Sequence, residues 1–314
     1  MGLEEESLVE KIINLYEKIS SLKSLKPSPD VNTLFGELVR TCMESSSVDV
    51  LQLSNKVQEK RKNLIRLCGE AEGLLEAHFS SILGTYDNPI DHLDLFPYYS
   101  NYLKLGYLEF TLLNQHCSKS PTKVAFVGSG PLPLTSVVLA LNHLTTTSFH
   151  NYDINPSANS MAIHLVAAHP DLSSRMFFHT TDIMNVTNGL KEFDVVFLAA
   201  LVGMDMEEKR KVIDHLSRNM GCGAILMLRS AYAARAFLYP VIDPGDLVGF
   251  EVLSVFHPTD DVINSVIVAR KCSNPSSLEQ HPCRVVPKLS CTCASTCLRS
   301  HSFNPIVEEL TIED

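Results

Sequence analysis

Through the first 118 or so positions, apolar residues recur three and four apart, as in Leu8, Ile12, Leu15, Ile19 and Leu22, and again in Leu64, Cys68, Ala71, Leu75 and Phe79. That period places one apolar stripe on each of several helices, and no strand-like alternation interrupts it. Breaks are expected at Lys26-Pro27-Ser28-Pro29, at Ser45-Ser46-Ser47 and at Asn88-Pro89, where proline and short polar residues end a helical run. The pattern predicts an all-α helical bundle over 1–120. A polar link, Cys117-Ser118-Lys119-Ser120-Pro121, leads out of it.

From Lys123 the rhythm changes to short apolar runs alternating with helical stretches, which is how a parallel sheet with crossover helices is written. Strands are expected at 123–128, 148–153, 175–181, 193–200, 223–229, 250–256 and 264–270, with helices at 132–144, 157–168 and 206–219. The link Pro258-Thr259-Asp260-Asp261 is too short for a parallel crossover, so the last two strands should pair antiparallel. These elements make one α/β domain over 121–272. Beyond it, 273–314 turns to Ser, Pro, Thr and Cys without an apolar period, the composition of a disordered tail.

Composition narrows the class. At 45% apolar the 314 residues can build a full core. No apolar run reaches the roughly 18–20 residues that span a bilayer, and the start MGLEEESL lacks the basic and apolar parts of a signal peptide, so a cytoplasmic protein without a membrane partner is expected. Acidic residues outnumber basic ones, 36 to 26, a balance that repels polyanions and argues against nucleic acid. Cys42, Cys68, Cys117 and Cys222 stand apart in apolar or mixed segments and are expected as reduced thiols filling small core positions.

The first predicted strand runs into Gly128-Ser129-Gly130-Pro131, where two glycines permit a sharp turn and close approach of a ligand to the main chain, and Pro131 suits the first turn of a helix. Asp153 ends the second strand 23 residues beyond Gly130, close to the spacing of about 20 at which an acid accepts from ribose hydroxyls. Asp182 ends the third strand, placed for the exocyclic amine of an adenine that Ile183 or Met184 would cover. Both acids also suit helix capping. Pro133 stands where a dinucleotide fingerprint needs its third glycine, which disfavours a pyrophosphate. S-adenosylmethionine carries no phosphate, needs ribose and adenine acceptors, and bears a positive sulfonium that an acidic protein tolerates.

Over 1–272 the sequence resembles the plant nicotianamine synthase family. The likeness is carried by LLEAHF (74–79), FPYYSNYLKLGYLE (96–109), VAFVGSGPLPLTS (124–136), NYDINPSAN (151–159), TTDI (180–183), FLAALVGMD (197–205) and LRSAY (228–232). The resemblance implies a class I methyltransferase-like Rossmann fold, with a mainly parallel sheet and an antiparallel last strand, behind an all-α N-terminal bundle. It implies condensation of three S-adenosylmethionine molecules by aminobutanoate transfer, giving the metal chelator nicotianamine and methylthioadenosine, with no cofactor beyond the substrate itself. It also implies that Gly128, Ser129, Gly130 and Asp153 hold the ligand, that Asp182 meets the adenine, and that Leu201, Val202 and Met204 face the adenosine or sulfonium. Arg229 is expected to grip a substrate carboxylate with two prongs.

The reaction also needs a base, because an α-ammonium is mostly protonated at neutral pH. The resemblance points to Glu76 as base with Tyr102 as its partner, and Tyr107 next. On spacing alone, Glu76 belongs to a solvated helix face with Glu72 four residues before it, the tyrosines are packing aromatics, and Arg229 is a surface ion pair. Cys291, Cys293 and Cys297, with Cys283 and His301 nearby, lack paired ligand spacing, so no metal site is assigned. Two alternatives stay open: a small-molecule methyltransferase, and a metal-carrying protein that binds S-adenosylmethionine without consuming it. The oligomeric state is also open, a homodimer included.

Overall fold

The computed structural model describes residues 3–44 and 48–273. The expected break at 45–47 and the expected disordered, cysteine-bearing segment from 274 to 314 lie outside the described residues.

Four long helices come first: α1 (Leu3–Ser20), α2 (Pro29–Glu44), α3 (Asn55–Leu83) and α4 (Tyr99–His116). The stripe read from the sequence is what α1 buries, with Ile12, Leu15 and Ile19 all at 2% exposure or less. It packs with Leu38 and Cys42 of α2 and with Leu64, Cys68 and Ala71 of α3. The helix α4 behaves differently from a bundle member. Its Leu105, Leu112 and Leu113 share a core with Val124 and Phe126 of the first strand, so it covers the sheet.

The sheet has seven strands: β1 (Lys123–Val127), β2 (Ser148–Asp153), β3 (Met176–Thr180), β4 (Val195–Leu198), β5 (Ile225–Ser230), β6 (Phe250–Phe256) and β7 (Ser265–Lys271). Their order is β3-β2-β1-β4-β5-β7-β6. The first five run parallel, and β7 is antiparallel to both β5 and β6. Crossovers are α5 (Leu134–Asn142), α6 (Pro156–Ala167), α7 (Pro170–Arg175) and α8 (Met206–Asn219).

Helix α7 was not expected; Pro170 opens it one residue after His169, which caps it through its side chain. Pro131 lies ahead of α5 rather than in its first turn, because Pro133 is the residue that caps the helix. The expected core cysteines also divide. Cys42 and Cys68 are buried, Cys117 is half-buried and Cys222 is exposed; all are free thiols.

The strand order reverses between β1 and β4, leaving a crevice at the carboxyl edge where ligands bind in open α/β sheets. Among the described residues no helix is long and apolar enough to cross a membrane.

Candidate functional site

The turn after β1 is left-handed at both glycines, with φ of 82° at Gly128 and 67° at Gly130. Gly128 N–H donates to the Tyr152 carbonyl at 2.8 Å, which ties the turn to the end of β2. Asp153 closes the arrangement by accepting from Gly130 N–H at 2.9 Å through one oxygen and from Asn155 N–H at 2.8 Å through the other. Each oxygen keeps a further lone pair for a ligand. Between the glycines, Ser129 is 6% exposed and its Oγ has no partner among the described residues. Asp182 stands exposed at the end of β3 and accepts from Met184 N–H at 2.9 Å, so the capping role is present. Ile183 is buried and Met184 is 39% exposed, which leaves Met184 as the apolar surface beside that acid.

The segment after β4 is wedged between this turn and α3. A Cβ on Gly128 would collide with Val202 Cγ2, and one on Gly69 of α3 would stand 3.3 Å from Met204 Sδ and 3.5 Å from a Leu201 methyl. Lys209 holds the segment from below. Its side chain is buried, Nζ donates to the carbonyls of Ala200 at 2.8 Å and Ala199 at 3.2 Å, and burial lowers its pKa to about 7.

Helix α3 brings its acids to the same place. Lys62 pairs with Asp205 at 3.3 Å, Gly69 meets Leu201 and Met204, Glu72 accepts from the Tyr239 hydroxyl at 3.0 Å, and Glu76 reaches the glycine turn. Offsets of seven, three and four residues put all of these on one helix face. Lys62 at its start is exposed, while Gly69, Glu72 and Glu76 turn toward the crevice. A Cβ on Gly130 would stand 2.6 Å from Glu76 Oε2, while Tyr102 of α4 offers its hydroxyl to Oε1 at 3.3 Å.

Burial raises the Glu76 pKa well above the usual carboxylate range, and the charge of Glu72 adds to it; Tyr102 offsets part of the rise by hydrogen bonding. Burial also raises Glu72, against the Tyr239 hydrogen bond, and raises Tyr102 with Glu76 contributing. Two acids that hold protons unusually well therefore line one wall.

The remaining expectations separate. Tyr107 is 64% exposed, with its ring 6.0 Å from His143, and is not brought to Glu76. Helix geometry explains the difference, since five residues along α4 turn the side chain to another face. Arg229 lies at the cluster, 6.0 Å from the Tyr102 ring, and makes a two-pronged contact. Its partner in the chain is Glu109: Nε and Nη2 donate to the two carboxylate oxygens at 2.8 and 3.0 Å, and Nη2 also donates to Thr135 Oγ1 at 2.7 Å. Sequence reasoning missed Tyr239, Thr135 and Lys209 and gave Glu72 to solvent. The 3–4 spacing of Gly69, Glu72 and Glu76 was the available signal.

Among the described residues no group of three or more His, Cys, Asp or Glu side chains is placed to hold a metal ion.

Comparison with known proteins identifies the family and the fold. The family profile described as nicotianamine synthase protein matches residues 2–276. A nicotianamine synthase of Solanum lycopersicum is 59% identical over 98% of this chain and 98% of its own length. Nicotianamine synthase 3 of Arabidopsis thaliana is 64% identical over 86% of each chain. The crystal structure of MtNAS in complex with MTA and tNA superposes with a TM-score of 0.72, covering 84% of this chain and 97% of that one at 22% identity, which shows a common fold. With the family profile matching residues 2–276 and relatives this similar over 86% and 98% of their length, the chain belongs to the nicotianamine synthase family.

Proposed function

We propose that this chain is a transferase that uses S-adenosylmethionine as its only substrate, moving aminobutanoate groups rather than methyl groups to build nicotianamine from three molecules. The observation that carries the proposal is Glu76. A carboxylate with a raised pKa touches the glycine turn where the nucleoside of the donor would lie, with a phenol on its other oxygen. A methyl transfer to a neutral or already activated acceptor has no need of such a base.

In the proposed step, the α-ammonium of an acceptor gives one proton to Glu76 and becomes an amine. Its nitrogen attacks the aminobutanoate carbon next to the donor sulfonium. The carbon–sulfur bond breaks, its electron pair stays on sulfur, and neutral methylthioadenosine leaves without needing a proton. The new nitrogen is a secondary ammonium, and Glu76 returns its proton to water, so charge and atoms balance.

Gly128, Ser129, Gly130 and Asp153 hold the donor nucleoside in this scheme, Asp182 and Met184 border the adenine, and Leu201, Val202 and Met204 wall the adenosine and sulfur. Tyr102 orients the Glu76 carboxylate. The acids Glu72 and Glu76 favour a cationic amine over an anionic group beside them. The Arg229–Glu109 pair stiffens the floor between α4 and β5. Glu76 is offered as the catalytic base and Tyr102 as its partner; Tyr107 has no part in the scheme. The free thiols of Cys42, Cys68, Cys117 and Cys222 suit a cytosolic setting.

The test is direct. Pure protein is incubated with S-adenosylmethionine alone, and the released nucleoside and amino acid are identified by mass spectrometry. Methylthioadenosine with nicotianamine is expected. S-adenosylhomocysteine would mean methyl transfer, and intact ligand would mean a binder.

A further inference from the structure

A substrate with an α-amino acid end presents a carboxylate as well as an ammonium. The guanidinium best placed to grip that carboxylate is taken by Glu109. Another donor lies on the same face of the sheet. In β5, Ile225 and Met227 belong to the core beneath α4 and α5, and side-chain alternation puts Arg229 on that face with them. Arg229 pairs with Val266 of β7, and Val262, Val266 and Val268 belong to the same core. Asn264 immediately precedes β7, and Val262, two residues before it, and Val266, two after, both belong to that core, which assigns Asn264 to the face of Arg229.

Its height in the sheet matters too. Because β7 is antiparallel, its first residue, Ser265, pairs with Ser230 at the last position of β5. Asn264 is one step further out, at the carboxyl edge where the crevice lies. The loop that carries it is fixed on two sides. Asp261 pairs with Lys104, and its carbonyl accepts from Asn101, the neighbour of Tyr102, at 2.6 Å. From the other side, Arg235 donates to the carbonyls of Pro258 and Asp260. Asn264 itself is 7% exposed, and its Nδ2 is buried without a partner among the described residues. A buried amide donor left unpaired is costly, and in a rigid setting it marks a place where a ligand supplies the acceptor.

We infer that Asn264 binds a carboxylate of the substrate, donating from Nδ2 to the α-carboxylate of an aminobutanoate group at the carboxyl edge of the sheet. This rests on the S-adenosylmethionine function proposed above. An amide suits the position better than a second cation. It recognises the carboxylate without adding a positive charge that would repel the ammonium on the same carbon.

The probes are S-adenosylhomocysteine, which keeps the aminobutanoate group and does not react, and its decarboxylated analogue, both titrated by calorimetry. The wild-type protein is expected to bind the decarboxylated analogue at least about tenfold more weakly. In Asn264→Ala that gap should shrink to about threefold or less. Asn264→Asp keeps the shape, and it should bind S-adenosylhomocysteine more weakly than Asn264→Ala does, because carboxylate would face carboxylate. The inference is overturned by equal affinities in the wild type, which needs no variant to fold. It is also overturned by an unchanged gap in Asn264→Ala, or by Asn264→Asp binding as well as Asn264→Ala. Release of S-adenosylhomocysteine from S-adenosylmethionine by the wild type would overturn the proposed reaction while leaving a measured gap, and hence the role of Asn264, intact.

Discussion

Replacing Arg229 by methionine separates two roles for that residue. The guanidinium and the Glu109 carboxylate are 9% and 1% exposed, and two hydrogen bonds of 2.8 and 3.0 Å join them. Methionine fills much of the volume but strands a carboxylate that water cannot reach. Removing one partner of a buried pair costs about 3–5 kcal/mol, a large share of the roughly 5–15 kcal/mol that holds a folded protein together. Removing both partners costs far less, because two apolar side chains of similar volume leave no charge behind. Arg229→Met is therefore expected to lower the urea midpoint sharply without changing the slope, and Arg229→Met with Glu109→Leu should recover at least about half of the loss. The opposite pattern refutes the assignment: stability within about 1 kcal/mol of wild type, with a KM for S-adenosylmethionine raised tenfold or more. That outcome would return Arg229 to the substrate carboxylate.

Glu76→Gln keeps the shape beside Tyr102 and removes the base, so kcat should fall by about 10²–10⁴. It should also alter stability in a way that depends on pH. The folded Glu76 holds its proton to a higher pH than the unfolded one, so between its unfolded pKa near 4.5 and its folded value the native state carries the extra proton. Wild-type stability then falls as pH rises through that window, by at most about 1.4 kcal/mol per pH unit, and the neutral variant escapes the fall. Thermal melts from pH 5 to pH 8 should show the variant gaining on the wild type, and a constant gap contradicts the assignment. Gly130→Ala puts a side chain at φ 67° and pushes on a flexible carboxylate, so about 1–2 kcal/mol of stability should go with a lower kcat; a neutral result in urea unfolding and turnover counts against the contact. Tyr107→Phe, on an exposed ring, should leave kcat and KM within about twofold, and a tenfold loss in steady-state kinetics would bring Tyr107 back to the site.

The sheet was legible because buried parallel strands read as unbroken apolar runs. VAFV and VVFL could hardly be placed elsewhere, and each of the seven expected strands has its counterpart. The short helix Pro170–Arg175 was not legible, since six residues give too few turns to show a period. The glycine turn and Asp153 were found because they lie on one βαβ unit with a fixed spacing. The wall opposite depends on partners far apart in sequence. Glu109 and Arg229 are 120 residues apart, Glu72 and Tyr239 are 167, and no local pattern links such pairs. Glu72 and Glu76 illustrate the limit. Two acids one turn apart look like a wet face, and only the presence of a second layer across the crevice decides otherwise.

The reach of those pairs has a consequence for the order in which the protein is made. The α3 acids and Glu109 leave the ribosome well before the residues that enclose them, and at about 5–20 residues per second the gap between Glu109 and Arg229 alone lasts on the order of 10 s. During that interval the three carboxylates are hydrated and fully charged, and α4 has no sheet to cover. Lone helices of this kind are marginal in water. The helical segment therefore waits, and the pocket in which Glu76 becomes a poor acid comes into being only after β5 and the Tyr239 segment have been synthesised. A nascent chain interrupted before that point carries the base without the surroundings that tune it.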